Sequence, residues 1–351
     1  MCDILKHTTM KTGDKTMKKI HRTLSLFTVA AMCTALLCSC GAVPDSSQTD
    51  SSSKAATTTT ADTTADTTTT GEASSTASAP DSSVSDSSSA VTDDTKTNGI
   101  TPAMWKVTSP EGNTMVMLGS FHALKDECYP LPEAVTNAYN KADILAVECD
   151  ITSTSEDGEY MKNLMKQMLY NDNTKLSQHI SEEAYSALQT YLGYWGMDIS
   201  ALEVYRPWAV SSTLDTLLIQ DSGFDSEKGL DNYLLTTAHA DGKEIYEVES
   251  VDFQMNLLIN FSDDIYDLMF RSYEGETKES QKQALEDLYT AWKSGDIETF
   301  LEEDNEEELA GYTEEDKKIA EDYNNQMLYD RNKNMAKAAE DLMSQGKNVF
   351  Y

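Results

Sequence analysis

The apolar positions after residue 100 predict short strands and helices in alternation. Val107 opens a short strand, residues 111–113 form a hairpin turn, and residues 114–119 form a second strand. Pro132 suits the first turn of a helix that runs to about Ala142. The start of the domain is therefore predicted as a hairpin followed by a helix.

A continuous apolar run over residues 144–147, closed by Glu148, is typical of a buried parallel strand. Together with the preceding strand and helix it completes a β–α–β unit, whose crossover should be right-handed. Residues 244–249 follow the same plan, because a helix that begins near residues 229–231 and ends at Gly242 leads into them.

Helices are predicted for residues 157–221 and 252–345, and a further strand begins at residues 347–351. A strand that stops after five residues suggests an incomplete chain, and a C-terminal edge strand is the alternative. The predicted fold class is α/β, with a mixed, largely parallel central sheet and a large helical insertion.

The N-terminal pattern differs from that of the domain. Residues 17–22 are basic, and residues 24–37 form an apolar segment without charge that is too short to span a bilayer comfortably. The segment ends in Leu37-Cys38-Ser39-Cys40-Gly41, which is similar to a bacterial lipobox. Cys40 would then carry diacylglycerol, and two acyl chains anchor a protein stably. A plain signal peptide with an accidental cysteine is the alternative.

Composition separates this N-terminal part from the domain. Of the 53 residues from 46 to 98, 29 are Ser or Thr, and no aromatic residue occurs between Phe27 and Trp105. Such a segment buries too little apolar surface to offset its ordering entropy. We predict a signal peptide over residues 1–39 with its true start at Met17, the lipidated Cys40 with a disordered tether over residues 40–99, and one domain over residues 100–351.

The net charge of −33 disfavours nucleic-acid binding and leaves the lipid anchor as the only expected membrane contact. The predicted location is the outer face of the cell membrane. Of the six cysteines, only Cys128 and Cys149 lie in the predicted domain. They form either a disulfide or two separate buried thiols, and the second arrangement is favoured.

Three polar residues stand at the predicted carboxyl ends of strands, where open α/β sheets bind their ligands. His122 follows the second strand, Glu148 ends the next, and Glu249 ends the third. If these strands are neighbours, an imidazole and two carboxylates meet at one edge, as in a divalent metal site or an acid–base pair. Gly119 fits this interpretation, because a small residue lets the backbone turn sharply beside a ligand.

Each candidate has a structural alternative. His122 suits a hydrogen-bonded structural histidine, and Glu148 suits a carboxylate that caps a helix or pairs with an arginine. Arg331 faces either the site or solvent. His179 and His239 lie in helical segments without partner spacing and are predicted to be surface residues. The serine-hydrolase, phosphate-loop and dinucleotide motifs are absent from the sequence.

Eight short motifs occur in order along the domain. They are residues 105–107, Leu118-Gly119-Ser120-Phe121-His122, residues 129–132, the strand ending in Glu148, Arg206-Pro207-Trp208, Gly229-Leu230-Asp231, residues 248–250 and Arg331-Asn332. Together these motifs resemble the TraB/GumN family, which includes pheromone-shutdown proteins and the TIKI ectoenzymes.

The resemblance implies an α/β fold related to haem-binding ChaN-like and erythromycin-esterase proteins. For the TIKI branch it implies metal-dependent peptide cleavage with two Gly-x-x-His motifs and a glutamate. By position, Gly119–His122 matches the first motif and Glu148 the glutamate, and a second histidine would lie just beyond Tyr351.

The leading hypothesis is a surface lipoprotein that acts as a metal-dependent peptidase or inactivates a peptide pheromone. His122 and Glu148 would bind Mn²⁺, Co²⁺ or Zn²⁺, and Glu249 and Arg331 would have acid–base or substrate-carboxylate roles. The competing hypothesis is a non-enzymatic binder of a peptide or of haem.

Overall fold

The computed structural model describes residues 99–152, 158–297 and 312–351. The predicted signal peptide, the lipidated Cys40 and nearly all of the tether lie outside these residues, so these assignments stay predictions. No helix within the described ranges is both long and apolar enough to cross a membrane.

Five strands of the described residues form one sheet in the order β1-β2-β5-β3-β4. Only the β1–β2 hairpin is antiparallel, and the other three pairings are parallel. The predicted mixed, largely parallel sheet is therefore confirmed. The strands are β1 Met104–Thr108, β2 Thr114–Leu118, β3 Ile144–Val147, β4 Glu244–Glu247 and β5 Val349–Phe350.

The C-terminal strand, β5, does not lie at an edge of the sheet. It lies between β2 and β3, so it is a central strand and the edge-strand alternative is wrong. Its two side chains are 1% exposed and point to opposite faces. Phe350 packs with Tyr139 in one core, and Val349 packs with Leu342 in another. Both faces of this strand are buried, as the centre of a parallel sheet requires.

Helices connect the strands and account for most of the remaining described residues. They are α1 Glu133–Lys141, α2 Gly158–Gln167, α3 Glu182–Gly193, α4 Pro207–Asp221, α5 Leu230–Asp241, α6 Val251–Ile259, α7 Asp263–Arg271, α8 Lys278–Ser294, α9 Glu314–Asn324 and α10 Asp330–Ser344. Helices α2 to α5 separate β3 from β4, which confirms the predicted helical insertion. A π-helical turn, Asn325–Tyr329, joins α9 to α10.

Local sequence signals explain several helix ends. Ser181 accepts a hydrogen bond from the backbone N–H of Ala184 at 3.1 Å and caps α3. Thr313 and Asp316 form a capping box at the start of α9. Gly242 ends α5 in the left-handed conformation at φ 66°, where glycine avoids the steric cost of a Cβ.

A second apolar core lies among the helices, where α2, α3 and α4 of the insertion pack with α6, α7 and α9. Trp208 of α4 is 1% exposed at its centre, and its indole N–H donates to the carbonyl of Gln167 at 3.1 Å. Cys149, which follows β3, also packs into this core. The end of β3 therefore lies where the sheet meets the helical insertion.

Candidate functional site

The candidate site lies at the carboxyl ends of the parallel strands. His122 follows β2 after three residues, and Glu148 follows β3 directly. Both line one small, partly open cleft, together with Cys149, Asp231 and Gln254. The strands β2 and β3 are not neighbours, because β5 separates them. The two side chains still lie on the same cleft, since the carboxyl ends of parallel strands share one edge of the sheet.

His122 is held by a carboxylate that the sequence analysis did not assign to the site. Its Nδ1 lies 2.7 Å from Oδ2 of Asp231, in the first turn of α5, and the hydroxyl of Ser120 donates to the same oxygen. Burial lowers the pKa of His122, but the charge and hydrogen bond of Asp231 outweigh this and raise it to about 9. Burial also opposes ionisation of Asp231, yet the adjacent imidazolium holds the pKa of this carboxyl below its ordinary value.

A glycine fixes the start of α5 against the loop of His122. A Cβ on Gly229 would lie 2.1 Å from the carbonyl oxygen of His122, so only glycine fits there. The N–H of Leu230 then donates to the carbonyl of Phe121 at 3.0 Å. This close contact places Asp231 beside the imidazole.

The steric role expected for Gly119 is not seen at that position. A Cβ on Gly119 would have no atom within 4 Å, and its φ lies outside the left-handed region. Its carbonyl accepts a hydrogen bond from the indole of Trp292 at 2.9 Å. The glycine that the local packing requires is Gly229.

Glu148 belongs to an ion-pair network that includes both other predicted site residues. The Arg331 guanidinium donates to Glu148 at 2.8 Å and to Glu249 at 2.9 Å. Arg331 is 12% exposed and Glu249 is 5% exposed, whereas Glu148 is 44% exposed. Arg331 therefore faces the site, and the structural alternative for Glu148, a pairing with an arginine, is also observed. Neither Arg331 nor Glu249 lines the cleft.

Gln254 of α6 connects the two carboxylates, and no signal in the sequence indicated it. Its amide donates to Glu148 at 3.0 Å and to Glu249 at 2.7 Å. Its carbonyl oxygen accepts from the thiol of Cys149 at 3.4 Å. The side chain is buried, so the direction of its amide is set by these three partners.

The two cysteines of the domain are separate, as favoured from the sequence. Cys128 and Cys149 are both free and buried. Burial, reinforced by nearby carboxylates, raises the pKa of the Cys149 thiol. Although Cys149 lines the cleft, its thiol is therefore protonated at neutral pH and is a poor nucleophile.

The two remaining predicted surface histidines both have partners. His239 is 51% exposed and lies 2.8 Å from Asp150. His179 is 25% exposed, lies 2.7 Å from Asp263 and stacks on Tyr170. His239 is exposed, as predicted, and His179 is partly exposed because Tyr170 and Asp263 contact its ring.

The donor atoms of the cleft match part of a metal site. The Nε2 of His122 and one carboxylate oxygen of Glu148 make no hydrogen bond to a described residue. A carboxylate behind the imidazole, as Asp231 provides, is the usual support of a metal-binding histidine. Across residues 99–152, 158–297 and 312–351, however, no group of three or more His, Cys, Asp or Glu side chains is placed to hold a metal ion.

Comparisons with known proteins give a family assignment. The chain is 28% identical over 157 residues to "Uncharacterized protein YbaP" of Escherichia coli K12, and equally to that of Shigella flexneri. This match covers 45% of the chain and 56% of each relative, so the chain spans about half the length of these curated proteins. No solved structure matches significantly, and the relation to ChaN-like and erythromycin-esterase folds stays a prediction. The model of the TraB/PrgY/gumN family matches residues 103–351, and the chain therefore belongs to this family.

Proposed function

We propose that this protein is a lipid-anchored, metal-dependent peptidase on the outer face of the cell membrane, with its centre at His122 and Glu148. The observation that carries the proposal is that these two side chains line one cleft and that each is held by a partly buried partner of opposite charge. A preorganised imidazole and carboxylate at the carboxyl ends of parallel strands suit hydrolytic chemistry.

Asp231 has an orienting role in this proposal. Its bond to Nδ1 fixes the His122 ring, so an ion would bind at Nε2 after displacing the proton that the raised pKa of about 9 keeps there at neutral pH. A Mn²⁺, Co²⁺ or Zn²⁺ ion held by His122 and Glu148 would supply Lewis-acid activation of a peptide carbonyl or of water. Solvent, substrate or residues outside the described ranges would provide its other ligands.

Arg331, Glu249 and Gln254 are proposed to position Glu148. Arg331 and Gln254 both donate to the same oxygen of Glu148, which leaves the other carboxylate oxygen for the cleft. Glu249 balances the charge of Arg331 from a buried position. The acid–base roles expected for Glu249 and Arg331 are thus replaced by positioning roles, because substrate in the cleft would not reach them directly.

The incomplete donor set favours a second candidate, a non-enzymatic surface binder of a peptide or of haem. Two donors without a third hold a divalent ion weakly. A binder would use the same cleft without cleaving its ligand, and haem would give a Soret absorption band.

An assay with a mixed peptide library distinguishes these candidates. The protein is incubated with the library in the presence of each of the three ions or of a chelator, and the products are identified by mass spectrometry. The peptidase proposal expects cleavage that the chelator and His122→Ala abolish and that His239→Ala preserves. Cleavage that persists in His122→Ala contradicts the proposed centre. Peptide retention without cleavage supports the binder.

The anchor is tested separately, through Cys40. Metabolic labelling with an azide-bearing fatty acid should label the wild-type protein, and Cys40→Ala should remain unlabelled and uncleaved. Cys38→Ala, two residues earlier in the same motif, is the matched control and should retain its label. Labelling that survives Cys40→Ala contradicts the lipoprotein proposal.

A further inference from the structure

A second concave surface lies between the β1–β2 hairpin and α1. It is an open groove of about 440 Å³, which falls in the size range of ligand sites. Its floor includes Met104, Val116 and Ala138, and Thr114 and Asn348 line the end where β2 and β5 begin. This end is opposite to the cleft of His122, because the cleft lies at the carboxyl ends of the same strands.

The charge of the groove is opposite to that of the whole chain. The chain has a net charge of −33, yet no carboxylate lines the groove, which contains Lys106 and Lys141. Both lysines are exposed, and neither forms an ion pair with a described residue. Most of the other lysines and arginines in the described ranges do form such pairs. The carboxylate of Asp143, just beyond the lining, accepts a hydrogen bond from the N–H of Asn348 at 2.8 Å and offsets part of this positive charge. At an ionic strength of 0.15 M, the Debye length of about 8 Å screens carboxylates that lie further away, so the two lysines still leave the groove with a local excess of positive charge.

The groove runs beside a free sheet edge. Among the described residues, β1 pairs only with β2 and ends the sheet on that side. An edge strand presents unpaired N–H and C=O groups, to which an extended peptide can add as a further strand. On such an added strand every second side chain faces the groove. If these groove-facing side chains are alternately apolar and acidic, the apolar ones match the floor of the groove and the acidic ones match its lysines.

We infer that the outer edge of β1 and the groove beside it are a docking site for an extended acidic peptide segment that carries apolar side chains. The acidic side chains contact Lys106 and Lys141, and the apolar side chains cover Met104 and Val116. The site is separate from the cleft of His122 and does not depend on the function proposed for that cleft.

The direct test is fluorescence anisotropy with the labelled peptide Glu-Thr-Val-Thr-Glu-Thr-Val-Thr-Glu and the purified full chain. The expected result is saturable binding that weakens at least threefold between 50 and 300 mM NaCl, about the loss expected when exposed ion pairs are screened. The double variant Lys106→Glu/Lys141→Glu replaces two attractions by two repulsions and should weaken binding roughly tenfold or more.

Matched controls separate local contacts from net charge and from peptide composition. Lys162→Glu/Lys166→Glu changes two exposed lysines of α2 by the same total charge, and it should bind like the wild type. A peptide with Lys in place of Glu should bind at least tenfold more weakly. N-methylation of two consecutive residues removes one backbone donor on each side of the strand and keeps every side chain, so that peptide should also bind at least tenfold more weakly if it adds to β1.

Three results overturn the inference. Equal weakening by both lysine double variants would show that net charge alone acts, and wild-type affinity for the N-methylated peptide would exclude strand addition. The third result combines two observations. The wild type binds no peptide, and it sediments as a dimer that Lys106→Glu/Lys141→Glu dissociates. The occupant of the groove would then be a second copy of the chain.

Discussion

The ion-pair network behind the cleft makes a quantitative prediction about Arg331. Arg331→Met keeps most of the side-chain volume but removes the only ion-pair partner that Glu249 has among the described residues. Glu249 is 5% exposed, so its charge would stay in a nearly dry environment with only the amide of Gln254 as a donor. Glu148 is 44% exposed and can be solvated by water, so its lost pair contributes little.

Loss of one partner of a buried ion pair costs about 3–5 kcal/mol, because the other charge is left uncompensated. We therefore expect Arg331→Met to lower the free energy of unfolding by about 3 kcal/mol or more. The second change Glu249→Gln removes the unpaired charge and should recover more than half of the loss. Replacing the whole pair by neutral groups is much less costly than breaking it.

The assay is urea unfolding at pH 7, followed by circular dichroism, for the wild type and the variants. Lys337→Met, a substitution in the same helix α10, is the matched control. Both Lys337 and its partner Asp341, which is 61% exposed, are solvated by water, so the loss should be small beside that of Arg331→Met. A loss below about 1 kcal/mol for Arg331→Met, or no recovery with Glu249→Gln, would refute the claim that Arg331 compensates a buried carboxylate.

Two other parts of the fold give further predictions. Burial raises the pKa of Asp316, but Arg271 and the hydrogen bonds of the helix cap outweigh burial and hold this pKa below its ordinary value. The carboxylate therefore stabilises the fold above about pH 4, and this stabilisation is lost as the pH falls further. Asp316→Asn should therefore destabilise the protein at pH 7 but have little effect near pH 2, and an equal loss of unfolding free energy at both values would contradict this. Gly229→Ala should cost about 1–3 kcal/mol through the clash with the carbonyl of His122, whereas Gly119→Ala should be tolerated. Thermal unfolding of the two alanine variants tests this pair, and equal melting temperatures would contradict it.

The sequence was sufficient where the signal was local. The apolar run that ends in Glu148, the histidine after β2 and the helix-to-strand order placed two side chains at the same edge of a parallel sheet. Pro132 and Gly242 located helix ends for the same reason, because these effects depend on residues a few positions apart.

The partners of those side chains could not be predicted in this way. Asp231 contacts His122 across 109 positions of the chain, and Gln254 contacts Glu148 across 106. Such pairings depend on how α5 and α6 pack against the sheet, which periodicity does not encode. The motif Gly229-Leu230-Asp231 was noticed only as part of a family resemblance, and the close contact of Gly229 with His122 supplies its physical reason.

The most direct test of the proposed centre is the binding of a divalent cation, measured without reference to turnover. Isothermal titration of Co²⁺ into the wild type should give a single weak site. His122→Ala should abolish it, and Glu148→Gln should weaken it. His239→Ala removes a histidine that is also paired with an aspartate, and it should leave the isotherm unchanged. Binding of Co²⁺ that persists in His122→Ala would contradict a metal centre at this cleft. A wild type that binds none of Co²⁺, Mn²⁺ and Zn²⁺ would contradict it as well.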